Sequence, residues 1–217
     1  PIFSIIVTGQ SHVPFILPPH MRNVFPNADS KKEHYANCLN NVDKGIEVFY
    51  KELKKRKLNS QSLVIVTADH SYPMGAHNIH TQEAGLYEES YLIPFFLTAP
   101  GVENKQLKGA YSQIDIAPTI LDLLNIQVED STFIGESIFS STKIRSVPQI
   151  QPYKKQIGIV RFPLKYRYAI KLDTEYAYNL IDDPLEKRNI VSTLTEEELS
   201  IFRLEVKKLF EIQKYYE

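Results

Sequence analysis

Asp69, His70, His77 and His80 fall within the stretch "TADHSYPMGAHNIH", directly after the apolar run "SLVIV". Three of the six histidines are therefore concentrated in one short segment. A carboxylate beside a neutral imidazole presents one hard and one borderline ligand. That combination suits Zn or Mn, admits Mg, and differs from the all-oxygen cages of Ca. Such ions normally take about four ligands or more, so Asp69 and His70 make part of a site and the remainder must come from elsewhere. His77 and His80 lie in a loop containing Gly and Pro, where imidazoles are not spent on core packing, and His12 closes a first strand-like run in the same manner. Imidazoles so placed can donate hydrogen bonds to the oxygens of a bound anion. The competing readings are local: Asp69 as a helix cap with His70 at the surface, His12 bonding its own backbone, and His77 and His80 as exposed loop side chains.

Bringing an acid and imidazoles to one rim requires elements that end there. In open α/β sheets ligands gather at the carboxyl ends of the strands. The runs "IFSIIVTG" (2–9), "SLVIVTA" (62–68) and "YLIPFFLTAP" (91–100) have the apolar, β-branched texture expected of buried parallel strands. Between the first two, Tyr35, Cys38, Leu39, Val42, Ile46, Phe49, Tyr50 and Leu53 recur at three and four. This predicts a helix over 30–57, with Asp29 or Ser30 as N-cap, and a right-handed crossover. The Pro-rich segment from Gln10 to Ser30 is longer than ordinary connections, which points to function or mobility. "SQIDIAPTILDLLNI" (112–126) reads as a short amphipathic helix with Asp115 as cap and Pro118 in its first turn. Past residue 127, "IGIVRF", "YRYAIKL" and "EYAYNLI" read as short antiparallel strands. There "TEEE" opens a last helix with Leu199, Phe202, Val206 and Leu209 along one side. The expected class is α/β: a mostly parallel sheet flanked by helices over 1–126, then a subdomain over 127–217 with a small antiparallel sheet and a terminal helix.

Charge and composition exclude several partners. With 25 basic and 26 acidic residues and a net charge of −1, the electrostatic footprint of a nucleic-acid binder is missing. The lone Cys38 rules out an internal disulfide, and its place on an apolar helix face suits a small buried residue better than a nucleophile. No apolar run approaches the roughly 18 residues of a membrane span. The chain opens on Pro1 and enters a strand-like run at residue 2 without a basic leader, the expectation for a piece of a longer polypeptide. A sheet short of strands would present exposed edges that promote association.

Taken together, "SLVIVTADHS…GAHN…YEESYLIPFFLTAPG" and "SQIDIAPTILDLLNI" resemble the alkaline-phosphatase-like sulfatase superfamily. Members of that family read there as a strand, Asp-His-Gly, Gly-Glu-His, Tyr-Glu-Glu-Ser, a Pro-containing strand, Pro-Gly, and an Asp-x-x-Pro-Thr-x-x-Asp helix. "YANCLNNVDKGIEVFYKEL" with Asp43, "FIGESIF" and "YNLIDDPLEKRNI" are similar to further segments of the family in the same order. Asp69-His70 in place of the Asp-Asn of ordinary sulfatases is closer to the phosphatase, phosphoglycerol-transferase and phosphoethanolamine-transferase branches. The Lys that sulfatases carry ahead of Tyr-Glu-Glu-Ser has no counterpart; the stretch offers Gln82, Glu83 and His80 instead. "TGQSHVPF" resembles the Asn-His-x-Pro-Phe segment of lipoteichoic-acid-synthase-like enzymes, whose His contacts phosphate.

The resemblance implies a metal-dependent phosphoryl hydrolase or transferase. Asp69 and His70 would be metal ligands and His12, His77 and His80 substrate contacts. The metal would be Mn or Zn, with Mg admissible and Ca for a sulfatase. The substrate would be a phosphate or sulfate ester, lipid- or glycan-linked, met in the periplasm or on the outer face of a bacterial membrane. The family's hydroxyl or formylglycine nucleophile precedes its counterpart of the first strand, and no Cys-x-Pro-x-Arg occurs here. No catalytic nucleophile is therefore assigned, as expected for the C-terminal portion of a catalytic domain. A sulfatase, or a non-catalytic interaction module, is the alternative. Glu88 and Glu89 correspond to residues that brace a loop in the family, and Asp43, Asp115 and Asp122 read as a helix-face contact, a cap and a solvated position.

Overall fold

The computed structural model describes residues 2–81, 85–129, 132–140, 144–153 and 155–215, with side chains through Glu211. Two compact units emerge, residues 1–65 with 97–102, and residues 66–96 with 103–217. Residues 103–126 are thus grouped with the C-terminal sheet. Buried Asp115 accounts for the grouping, since it takes the Arg145 guanidinium and the Glu136 N–H.

In the first unit, helix α1 (Lys31–Lys55) starts where the cap chemistry demands. The Ser30 hydroxyl accepts from the Glu33 N–H while the Glu33 carboxylate accepts from the Ser30 N–H, a reciprocal capping box. These bonds draw the exposed Glu33 carboxyl down to about 2. Cys38 is fully buried, and burial pushes its thiol upward, as a packing role requires. The other deeply buried helix residue is polar. Asn37 accepts from the Val24 and Phe25 N–H groups and donates to the Phe25 carbonyl, and Asn41 donates to the Met21 carbonyl. The Pro-rich segment is therefore tied to α1 through amides.

The expected first strand does not form. Residues 2–9 have no strand partner among the described residues, and Ile2, Phe3, Ile5, Ile6 and Val7 are exposed. A strand exists only where a neighbour completes its backbone ladder, and apolar texture alone does not supply one. Among the described residues the mostly parallel sheet is reduced to one two-stranded pair, β1 (Val64–Thr67) with β2 (Phe95–Thr98). β1 is half-buried, and β2 exposes Phe95 and Phe96 instead of burying them.

The second unit carries the short α2 (Glu88–Tyr91), α3 (Ile116–Leu123) and a four-stranded antiparallel sheet. Its strands are β3 (Val147–Gln151), β4 (Gln156–Arg161), β5 (Leu164–Ala169) and β6 (Thr174–Asn179), in sequential order. The terminal helix α4 (Glu196–Tyr215) begins at the expected box, with Thr195 and Glu198 exchanging bonds. Its Leu199, Phe202 and Val206 pack on Ile157, Ile159 and Tyr166, and the Phe202 ring stacks on Tyr166 at 5.3 Å. Each such side chain stabilises the fold by about 1.5–3 kcal/mol on burial. The antiparallel sheet and terminal helix thus form as the sequence predicts, with β3 as an additional strand.

α3 is preceded by a single 3-10 turn, Gln113–Asp115. Asp115 caps from inside that turn, accepting from the Ser112 N–H, while Thr119 donates to the Asp115 carbonyl. Gly135 fits because its neighbour is backbone: a Cβ there would lie 2.1 Å from the Ile114 carbonyl oxygen.

Candidate functional site

β1 ends at Thr67, and two residues later the chain presents Asp69 and His70 side by side. Their side chains are 84% and 53% exposed, with His70 Nε2 3.5 Å from Asp69 Oδ2. The same carboxylate accepts the His70 N–H through Oδ1 at 2.8 Å, which turns acid and imidazole to one side. His70 Nδ1 lies 3.1 Å from the Ser71 carbonyl. A carbonyl only accepts, so Nδ1 donates to it, and a neutral ring then carries its lone pair on Nε2. A backbone carbonyl fixing the tautomer in this way is the usual support of a metal-binding imidazole. Two ligands sharing a tetrahedral ion at bonds of about 2.05 Å stand roughly 3.3 Å apart, so the observed spacing fits a common cation. Among the described residues, no three His, Cys, Asp or Glu side chains converge into a complete site.

The backbone under this pair is held from α3's approach. Gln113 Nε2 donates to both the Ala68 carbonyl at 2.9 Å and the Asp69 carbonyl at 2.7 Å. A primary amide is the neutral side chain able to donate twice from one nitrogen. The sequence reading passed over Gln113, whose only signal was its place at the head of the α3 segment.

His12 belongs to the first compact unit. It is exposed in a tight turn closed by His12 N–H to the Gly9 carbonyl and Phe15 N–H to the His12 carbonyl. Its Nδ1 donates to the Val13 carbonyl at 2.7 Å. Phe15 beneath it is 1% exposed and adopts φ +63°, a left-handed conformation unusual for a non-glycine residue. Its ring packs on Tyr35 of α1 at 5.0 Å.

The loop after β1 separates its two remaining imidazoles. His80 is exposed, and its ring covers Gly75, where a Cβ would come within 2.7 Å of the ring; φ of +90° at Gly75 independently favours glycine. His77 is half-buried and directed inward. Its Nδ1 is 2.8 Å from Glu89 Oε1 and its Nε2 2.6 Å from the Leu185 carbonyl, and its ring stacks on Tyr87 at 3.8 Å. Glu89 also accepts the Ala76 and His77 N–H groups at 3.1 and 3.0 Å. Burial pushes its carboxyl upward, but the bonds from His77 and Ala76 outweigh this and hold it below the usual range. Glu89 thus braces the loop.

Glu88 turns the other way, to Lys165 of β5. Lys165 is wholly buried, with Nζ 2.8 Å from both Glu88 Oε1 and Glu186 Oε1. Gln149 donates to Glu88, and Glu186 accepts the Glu88 N–H at 2.5 Å. These groups come together over long sequence separations: no local motif announced Lys165, and Glu186, inside the segment "YNLIDDPLEKRNI", gave no sign there of its partner. Asp43 is exposed, and Asp122 accepts the Ser137 hydroxyl at 2.5 Å. Gln82 and Glu83 lie outside the described residues.

Comparison with known proteins agrees with this architecture. The sulfatase family's sequence model matches residues 1–126. Lipoteichoic acid synthase 2 of Bacillus subtilis is 28% identical over 159 residues, 68% of this chain and 24% of that protein. The Delta 4,5-hexuronate-2-O-sulfatase of Bacteroides thetaiotaomicron is 25% identical over 174 residues, 73% of this chain and 36% of that protein. The chain therefore spans about a quarter to a third of these relatives. The crystal structure of a Listeria monocytogenes lipoteichoic acid synthase superposes with a TM-score of 0.73 at 23% identity, covering 96% of this chain and 52% of that one. The fold is shared.

Proposed function

Because the chain belongs to the sulfatase family, we propose that it forms part of a metal-dependent phosphoryl hydrolase or transferase of the phosphoglycerol- or phosphoethanolamine-transferase kind. The observation that carries the reading is the Asp69–His70 pair: a carboxylate oxygen and an imidazole nitrogen 3.5 Å apart at a strand end, with the other ring nitrogen on the Ser71 carbonyl. An acid followed by an imidazole suits Mn or Zn better than Ca. A bound ion supplies Lewis-acid stabilisation of phosphoryl charge and a lowered pKa for an attacking hydroxyl. Asp69 and His70 hold it, Gln113 fixes the carbonyls behind them, and exposed His80 is a candidate donor to the ester oxygens. His12 stays a candidate phosphate contact on the resemblance alone. No residue of the chain is assigned as nucleophile. The substrate proposed is a phosphate ester carried on a lipid or glycan, met in the periplasm or at the outer face of a bacterial membrane. Among the described residues, no helix is long and apolar enough to cross a membrane.

The similarity to a hexuronate sulfatase over 73% of the chain favours a second reading, sulfate-ester hydrolysis. The two are separated by assaying the native-length protein, purified from its source, on p-nitrophenyl phosphate, bis-p-nitrophenyl phosphate and p-nitrophenyl sulfate with Mn, Zn or Ca. Phosphate or phosphodiester turnover with Mn or Zn is expected. Ca-dependent sulfate turnover would replace the first reading with the second.

A further inference from the structure

His77 is bonded on both sides of its ring to groups that can only accept. Glu89 is a carboxylate held ionised by its bonds, and Leu185 contributes a carbonyl. A neutral imidazole has one N–H, so it would set a lone pair against one of these oxygens at 2.6 or 2.8 Å. The doubly protonated ring satisfies both.

The face of the ring is packed as well. Tyr87 stacks on His77 with the planes 11° apart, and on Tyr87's ring also lies the Arg167 guanidinium, 4.6 Å from the centroid. Arg167 of β5 is itself buried, 4.0 Å from the Tyr176 centroid, with Nη2 donating to the Tyr178 hydroxyl. His77 thus touches Tyr87, Tyr87 touches the Arg167 guanidinium and Arg167 touches Tyr176, a run of contacts linking β5 and β6 to the loop that follows Asp69 and His70. Aromatic rings attract cations on their faces. Among the described residues, charged groups near His77 include Glu89 on its edge, Arg167 against the Tyr87 ring, and the Lys165–Glu88–Glu186 cluster at the neighbouring positions of α2 and the 183–188 turn.

We infer that His77 is an imidazolium positioning residue, not a substrate contact: it pins the strand-end loop between Glu89, the Leu185 carbonyl and the Tyr87 ring. The inference rests on the proposed function only in treating that loop as the reacting site. Its protonation state and mechanical role are properties of the ring itself.

Long-range proton–nitrogen NMR on the native-length protein at neutral pH tests it, with amide exchange at residues 76–78 as a second readout. Both His77 ring nitrogens should be of the protonated type, and Glu89→Gln should convert one of them. His77→Ala and Tyr87→Leu should each speed exchange at the loop, and the double variant should do little more than either, since contacting members of one unit are non-additive. Tyr87→Phe, which keeps the ring, should behave as wild type. On whichever ester is turned over, His77→Ala should lower kcat by up to about 100-fold with KM nearly unchanged, as misplacement does. A single ring proton on His77, additive exchange effects, or a loss confined to KM would overturn the inference. If no ester is turned over, the functional proposal fails while NMR and exchange still decide this one.

Discussion

Lys165→Met tests the ionic cluster behind the site with a number attached. Methionine keeps most of the stem volume and removes the ammonium, leaving Glu88 and Glu186 facing a site where Lys165 is 0% exposed and Glu186's side chain likewise. Removing one partner of a buried ion pair costs about 3–5 kcal/mol, because the remaining charge loses its compensation. For a chain of this size each kcal/mol lowers Tm by roughly 2–4 °C, so a drop on the order of 10 °C is expected. The chain has no Trp, so far-UV circular dichroism during urea and thermal unfolding is the assay. A pH series adds a sign. Burial pushes the Glu186 carboxyl above its ordinary value, against the pull of Lys165. The folded state therefore holds that proton more tightly than the unfolded chain. Stability from this group is full below the ordinary carboxylate range and falls as pH rises through the raised value. Without Lys165 only the Glu88 N–H still opposes the upward push, so the deficit of the variant should be largest near neutral pH and shrink toward about pH 4. A deficit under about 1 kcal/mol at neutral pH, or one that grows on acidification, would refute the reasoning.

Two other perturbations probe the loop and the α3 approach. Glu89 titrates low, so its contribution is present above the ordinary carboxylate range and lost as pH falls through the lowered value. Amide protection at Ala76 and His77 should decline on acidification in the wild type; in Glu89→Gln it should start lower by about 2 kcal/mol and lose that pH dependence. Gly135→Ala places a methyl 2.1 Å from the Ile114 oxygen, with backbone that cannot swing aside, and should cost about 1–3 kcal/mol in urea unfolding at unchanged m-value.

Local chemistry was legible in the sequence and partnership was not. Ser30 with Glu33 and Thr195 with Glu198 start helices where the residue types demand, and the 3.6-residue pattern from Leu199 to Val206 packs as expected, because caps and stripes need only near neighbours. The run 2–9 reads as a buried strand but has no strand partner among the described residues, since pairing depends on a neighbour that texture does not encode. At the candidate site, the sequence offered the adjacent pair Asp69 and His70, which the structure places just past the end of β1. The bracket that holds the Asp69 backbone was not legible there, since Gln113 reaches back 44 residues to its carbonyl; nor was the Lys165–Glu88 pair, which meets across 77. His77 and His80 looked equivalent in sequence, and only the placement of Glu89, Tyr87 and Leu185 distinguishes the enclosed ring from the exposed one.

Metal content of the native-length protein, measured by mass spectrometry beside Asp69→Ala and His70→Ala, tests the central claim most directly. Both side chains are largely exposed, so each variant should stay within about 0.5 kcal/mol of wild-type stability. The account predicts stoichiometric Mn or Zn in the wild type and its loss from both variants. Equal occupancy in all three proteins, or a wild type that holds no divalent ion when supplied with Mn or Zn, would contradict it.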